Sequence, residues 1–185
     1  MKLISVIMTI DNLLEFPMHN LPKGYQIRTF KNFDERYWAD IETSAGEFTD
    51  TDEAVLRFQK EFGGRKIDLY DRCLFLESKT DGIIGTATAW FSDGLFNDNY
   101  GRVHWVGIKK EFQGRKLAKP LLSHTLKKLS EFHTQAYLTT QTTSYKAINM
   151  YLNYGFTPFI NNEKHVEAWQ ILYKYLKHPS LIKYQ

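Results

Sequence analysis

Trp105-Val106-Gly107-Ile108-Lys109-Lys110-Glu111-Phe112-Gln113-Gly114-Arg115-Lys116-Leu117-Ala118 runs as strand, basic glycine-containing turn and helix start. Arg102 to Ile108 is apolar and β-branched enough for a strand. Leu117 to Phe132 carries Ala118, Leu122, Leu126 and Leu129 at helical spacing, with Lys127 and Lys128 on the other side. The turn between them suits an anion. Backbone N–H groups at a helix start are unpaired and partly positive, so a pyrophosphate there gains several hydrogen bonds without particular side chains. Lys109, Lys110, Arg115, Lys116 and Lys119 add positive charge around it.

Working back from this stretch, Cys73 to Glu77 and Ile83 to Phe91 read as strands joined by Ser78-Lys79-Thr80-Asp81-Gly82, whose Asp-Gly pair favours a hairpin. Before them, Asp34 is a candidate cap for a helix with Trp38, Ile41 and Ala45 on one face and Gly46 at its end. Thr51 is a candidate cap for a second, with Val55, Phe58 and Phe62 on one face and Gly63-Gly64 as its stop. Tyr25 to Phe30 alternates as a half-buried strand and is expected to open the main sheet. Leu3 to Ile10 can pair as a strand. Pro17 and Pro22-Lys23-Gly24 separate it from the rest, so residues 1–20 are expected to form an N-terminal extension.

Downstream, Ala136 to Thr140 is a short strand. Ser144 can cap a helix carrying Ala147, Ile148, Tyr151 and Leu152 that stops at Gly155, and Glu163 to Leu176 looks helical. The division expected is an extension at 1–20, one domain at 21–160, and a C-terminal helical segment at 161–185 packing on that domain.

The composition allows one globular core. The 185 residues are 43% apolar and 24% charged, far from the signature of disorder. A net charge of only +3 lacks the strongly basic balance of most nucleic-acid binders. Cys73, the one cysteine, sits in an apolar run and can form no internal disulfide, which fits a reducing, cytoplasmic setting. The opening residues show neither a cleavage site nor a membrane-spanning run, so no membrane association is expected. No pair of His, Cys, Asp or Glu shows metal-ligand spacing, and no metal is expected.

Gln113-Gly114-Arg115-Lys116-Leu117-Ala118 resembles the acyl-CoA signature of the GCN5-related N-acetyltransferase (GNAT) family, written Q/R-x-x-G-x-G/A, matching at Gln113 and Ala118. It departs at Lys116, where the family has glycine. Either the backbone approaches the phosphates less closely there or the lysine supplies a charge contact instead. A second match, from Leu138 to Phe156, is similar to the family's strand, helix and closing glycine-phenylalanine, with Tyr151 on the family tyrosine and Ser144 where many members have a cofactor-contacting asparagine. Gly101 to Trp105 and the Leu-Pro-Lys-Gly-Tyr start at residue 21 further resemble a bacterial subgroup related to mycothiol-synthase acetyltransferase domains.

The resemblance implies an α+β, three-layer fold: the acyl-CoA N-acyltransferase fold, a central mixed, mostly antiparallel sheet flanked by helices. It implies direct transfer of an acyl group, acetyl from acetyl-CoA, to an amine of a small molecule, amino acid or protein, by a monomer or homodimer. The cofactor would lie along Val106, Gly107 and Ile108, with its pyrophosphate on Gln113, Gly114, Arg115, Lys116, Leu117, Ala118 and Lys119, and would meet Ser144 and Tyr151. Tyr151 would protonate the departing thiolate.

For the base, His104 ranks first because regular alternation puts it on the face of Val106 and Ile108; Glu47 and Glu77 are alternatives. Trp38, Trp90, Phe91 and Trp105 are expected mainly in the core, with an acceptor pocket as the second reading. The rival to an enzyme is a binding module, either an acyl-CoA sensor without turnover or a nucleic-acid binder using the basic turn.

Overall fold

The computed structural model describes residues 1–184; Gln185, the end of the expected C-terminal segment, lies outside them. Seven strands form one sheet: β1 (Ser5–Ile10), β2 (Tyr25–Thr29), β3 (Cys73–Ser78), β4 (Gly82–Phe91), β5 (Tyr100–Ile108), β6 (Gln135–Gln141) and β7 (Thr157–Phe159). Their order is β2-β3-β4-β5-β6-β1-β7. Every neighbouring pair is antiparallel except β5 and β6. Six α-helices accompany it: α1 (Glu35–Ala45), α2 (Thr51–Phe62), α3 (Lys66–Arg72), α4 (Ala118–Ser130), α5 (Tyr145–Asn153) and α6 (Glu163–Leu176). This is the mixed, mostly antiparallel sheet with flanking helices expected from sequence.

The stretch set apart in sequence as an N-terminal extension is instead built into the sheet. β1 pairs with β6 from Ser5↔Gln141 to Ile10↔Ala136, and with β7 along its other edge. Its run of apolar residues suits a strand with neighbours on both sides. Val6 and Met8 are fully buried in the cluster that also holds Leu122 and Leu126 of α4, Ile148 of α5 and Trp169 of α6. The separation by prolines misled because a connection of that length reaches across the sheet. β2, expected to open the sheet, is its edge.

Helix starts also differ in detail. Asp50, not Thr51, caps α2, accepting a hydrogen bond from the Glu53 N–H at 2.8 Å. Asp34 precedes α1 without a side-chain cap, because its carboxylate is taken by Arg28 and by the Lys31 N–H at 2.6 Å. A second cluster of Trp38, Phe58, Phe62 and Trp90 packs α1 and α2 on the sheet, with ring centroids 4.9 Å apart for Phe58–Phe62 and 5.0 Å for Phe62–Trp90. Each such pair contributes roughly 0.5–1.5 kcal/mol beyond its area. α3 and β7, short and without clear periodicity, were not foreseen.

If β1 is integral to the core, Met8→Ala should cost about 2–5 kcal/mol in denaturant unfolding. A loss below about 0.5 kcal/mol, the size of a surface change, would show the segment to be an appendage.

Candidate functional site

β5 and β6 pair through only three residues, Tyr100↔Gln135, Gly101↔Ala136 and Arg102↔Tyr137, and then part. The edge of β5 facing the gap is left without a strand partner, which an extended amide-bearing chain can join. Two clefts open along the gap. The larger, about 1070 Å³, is lined by Val106, Gly107 and Ile108 of β5, the turn before α4, and Ser144, Ala147 and Tyr151. The smaller, about 250 Å³, is lined by Glu42, Arg57, Arg102, His104, Trp105, Thr139 and Gln141. Val106, Glu47, Ser144 and Tyr151 belong to both.

The turn is shaped as a cradle. Gly114 (φ 77°) and Lys116 (φ 62°) both adopt left-handed backbone. The amides of Arg115, Lys116, Leu117, Ala118 and Lys119 meet no hydrogen-bond acceptor among the described residues. Gln113 closes the turn, its Nε2 donating to the Ile108 carbonyl at 2.9 Å. Tyr154 holds the start of α4 through a 2.7 Å bond to the Lys119 carbonyl. Free amides at the N-terminus of a thirteen-residue helix, beside Lys116 and Lys119, fit a pyrophosphate. Lys116 thus keeps the backbone shape for which glycine is favoured, at a cost of about 1–2 kcal/mol.

Of the residues named from sequence for the cofactor, Val106, Gly107, Ile108, Gln113, Gly114, Lys116, Leu117, Ala118, Lys119, Ser144 and Tyr151 line the larger cleft. Arg115 does not. Its guanidinium folds back over the Phe112 ring at 4.6 Å and donates to the Glu111 carbonyl at 3.1 Å. Ser144 precedes α5 but makes no capping bond, so its hydroxyl is left to the clefts. His19, Asn20 and Pro22 also line the larger cleft and were missed, since nothing local marks them. They arrive because Ser123 of α4 accepts the His19 N–H at 3.1 Å.

The face expected for His104 is corrected by a β-bulge. Thr88 pairs with His104 and Thr86 with Gly107, so Ala87 alone stands opposite Trp105 and Val106. Trp105 takes φ 49°, a strained value for a bulky residue. Alternation is thereby reset. His104 faces α2, bonding Glu61 Oε1 through Nε2 at 2.7 Å, and Trp105 packs on Trp38 at 5.0 Å, whereas Val106 joins the clusters around α4. Burial holds the His104 imidazole below its ordinary value, against the pull of Glu61. Of the four aromatics, Trp38 and Trp90 are core, and only Trp105 lines a cleft.

Glu77 lies away from both clefts, paired with Gln26 at 2.7 Å, while Glu47 stands where they meet. The acidic group missed from sequence is Glu42, 1% exposed. Its signal was present: on α1 it falls one turn from Trp38 and next to Ile41, on the buried face of an amphipathic helix. Its Oε1 has no hydrogen-bond partner among the described residues. A Cβ on Gly107 would lie 2.6 Å from that oxygen, so the glycine makes the room for it. Burial first, and the charge of Glu47 second, push the Glu42 carboxyl up to about 8. Burial, then Glu42 and Glu47, also push the Tyr151 phenol well above its ordinary value, so it keeps its proton. Among the described residues no cluster of three metal-ligating side chains occurs, and no helix is long and apolar enough to cross a membrane.

Lys116→Gly should stabilise the fold by about 1 kcal/mol and Lys116→Val should destabilise it, both read by denaturant unfolding. For Glu42, the folded chain holds a proton that the unfolded chain has lost between the ordinary 4.5 and about 8, so its contribution to stability falls as pH rises through that window. Glu42→Gln should therefore match the parent's melting temperature near pH ~4.5 and exceed it above pH ~8. A constant difference across that range would contradict the buried, proton-holding carboxyl.

Comparison with known proteins agrees with this geometry. Residues 27–156 match the family described as the acetyltransferase (GNAT) family. No curated protein matches the chain. Among solved structures, a GCN5-related N-acetyltransferase from Sphaerobacter thermophilus superposes with a TM-score of 0.64 at 21% identity, covering 84% of this chain and 48% of its own. An acetyltransferase of the GNAT family from Colwellia psychrerythraea gives 0.62 at 10% identity, over 85% and 54%. A tandem GNAT protein of the clavulanic acid biosynthesis pathway gives 0.61 at 17%, over 84% and 50%. The chain thus spans about half the length of these structures. With the family signature lying on a cradle of free amides beside a parted sheet, the chain belongs to the acetyltransferase (GNAT) family.

Proposed function

We propose that the protein transfers an acetyl group from acetyl-CoA directly to an amine. The observation that carries this reading is the meeting of two clefts at Val106, Glu47, Ser144 and Tyr151, one long and cradle-ended, the other small and polar. Acetyl-CoA supplies an activated thioester. The amides from Arg115 to Lys119, with Lys116 and Lys119, would hold its pyrophosphate, and the open edge of β5 would pair with its amide-bearing arm. A β5 amide in the Val106–Ile108 segment would stabilise negative charge on the acyl oxygen. Tyr151, buried and protonated, gives its proton to the departing sulfur.

Within the family we place the chain near the mycothiol-synthase-related subgroup, on residues 101–105 and 21–25. A reducing, cytoplasmic location fits Cys73, which is buried and unpaired.

Acetyl-CoA should raise the melting temperature, the gain reaching about 2.7 kcal/mol at one hundred times its Kd. Gly114→Pro should abolish most of that gain. Tyr151→Phe should leave it intact while lowering kcat roughly ten-fold to a thousand-fold once an acceptor is in hand. Absence of any stabilisation by acetyl-CoA would remove the reading.

A further inference from the structure

The smaller cleft holds two arginines, and both are already matched. Arg57 pairs with Glu61 at 3.1 Å, and Arg102 pairs with Asp93 at 2.8 Å and donates to Thr139 Oγ1 at 3.0 Å. His104 is matched as well, to Glu61 at 2.7 Å. Of the side chains lining this cleft, the acidic ones are Glu42 and Glu47, and neither has a charged partner among the described residues. Buried carboxylates are normally paired or hydrogen-bonded, because an unpaired one carries a large desolvation cost. Glu42 avoids that cost by holding its proton at the wall of a cleft, with Oε1 unpartnered and directed at the backbone of Gly107. A cation entering from the cleft would favour the ionised carboxylate and supply the charge partner it lacks.

We propose that the smaller cleft takes its acceptor as a primary ammonium ion and that Glu42 receives the proton from it, serving as the base of the transfer. This rests on the acetyl-transfer reading above. Two protons leave the acceptor nitrogen. The first passes from the ammonium to the Glu42 carboxylate and, on product release, to water. The nitrogen lone pair then forms the N–C bond as the C–S bond breaks. The second proton, shed from nitrogen, balances the one that Tyr151 gives to the thiolate, leaving amide, thiol and one released proton. Glu47, on the loop after α1, holds the ammonium beside Glu42.

A base whose affinity for protons is near neutrality suits an amine far better than an ordinary carboxylate. Glu42, at about 8, meets that need, and an ammonium bound beside it lowers the value so that the charged form is present at neutral pH. The charged and titratable groups around it are Glu47, Tyr151 of α5, Arg102 and His104 of β5, and Arg57 of α2, with Glu61 behind them. His104 is not equivalent: its Nε2 is spent on Glu61, and burial holds its imidazole below the ordinary value.

Two measurements test the assignment on the intact protein. The first follows the carbon NMR signal of the Glu42 carboxyl, identified by its disappearance in Glu42→Gln. It should titrate near pH ~8 in the free protein and at lower pH with n-butylammonium added, while n-butanol leaves it unmoved. The second is the pH profile of kcat/KM with acetyl-CoA and n-butylamine. Wild type should rise to a plateau near pH ~8, whereas Glu42→Gln should lose roughly a hundred-fold or more and show no break there, with acetyl-CoA affinity retained. A carboxyl signal indifferent to n-butylammonium, or a Glu42→Gln profile that keeps the wild-type break and rate, overturns the proposal. Failure of wild type to bind acetyl-CoA strikes the acetyl-transfer reading instead, and the ammonium titration of Glu42 still decides whether the cleft is a cation site.

Discussion

After Arg102 and Tyr137 the backbone pairing of β5 and β6 ends, and the rest of the site depends on that parting. A sheet that stayed paired would bury the β5 edge and leave no gap for a ligand. The parting holds because each strand is anchored on its other side: β5 by β4 as far as Ile108, and β6 by β1 from Ala136 to Gln141. β1 is therefore what allows β6 to leave β5 without becoming a free edge.

The bulge at Trp105 and Val106 complements the parting. One extra residue on β5 turns both His104 and Trp105 toward α1 and α2, while Val106 stays with α4. Beyond it Gly107 offers no side chain, and Glu42 fills the space. A buried carboxyl beside a buried phenol is costly, and the aromatic cluster of Trp38, Phe48, Phe58, Phe62 and Trp105 supplies the packing that offsets it. Such a trade between stability and a polar, poorly matched site is the pattern expected of functional centres.

Much of this was legible in the sequence. The strand, basic turn and helix from Trp105 to Leu129 follow from a period that changes at the turn. The hairpin at Asp81-Gly82 and the helix Glu163–Leu176 stand as read. What escaped was non-local. β1 pairs with a strand more than a hundred residues away, a partnership no window of sequence contains. The bulge defeats alternation because an inserted residue leaves no mark in composition, and it alone misplaces His104. Glu42 was visible as a charge on an apolar helix face, but only the glycine across from it on β5 shows why a carboxyl sits there.

The proposed transfer requires one groove to carry a CoA thioester from the helix start at Leu117 to the phenol of Tyr151. A crystal structure with CoA bound tests it most directly. Density is expected for the pyrophosphate on the amides from Arg115 to Lys119, for an extended arm along the open edge of β5, and for the sulfur within hydrogen-bond reach of the Tyr151 hydroxyl, about 3–4 Å. Density for CoA elsewhere on the molecule, or a sulfur turned away from Tyr151 and the smaller cleft, would contradict it.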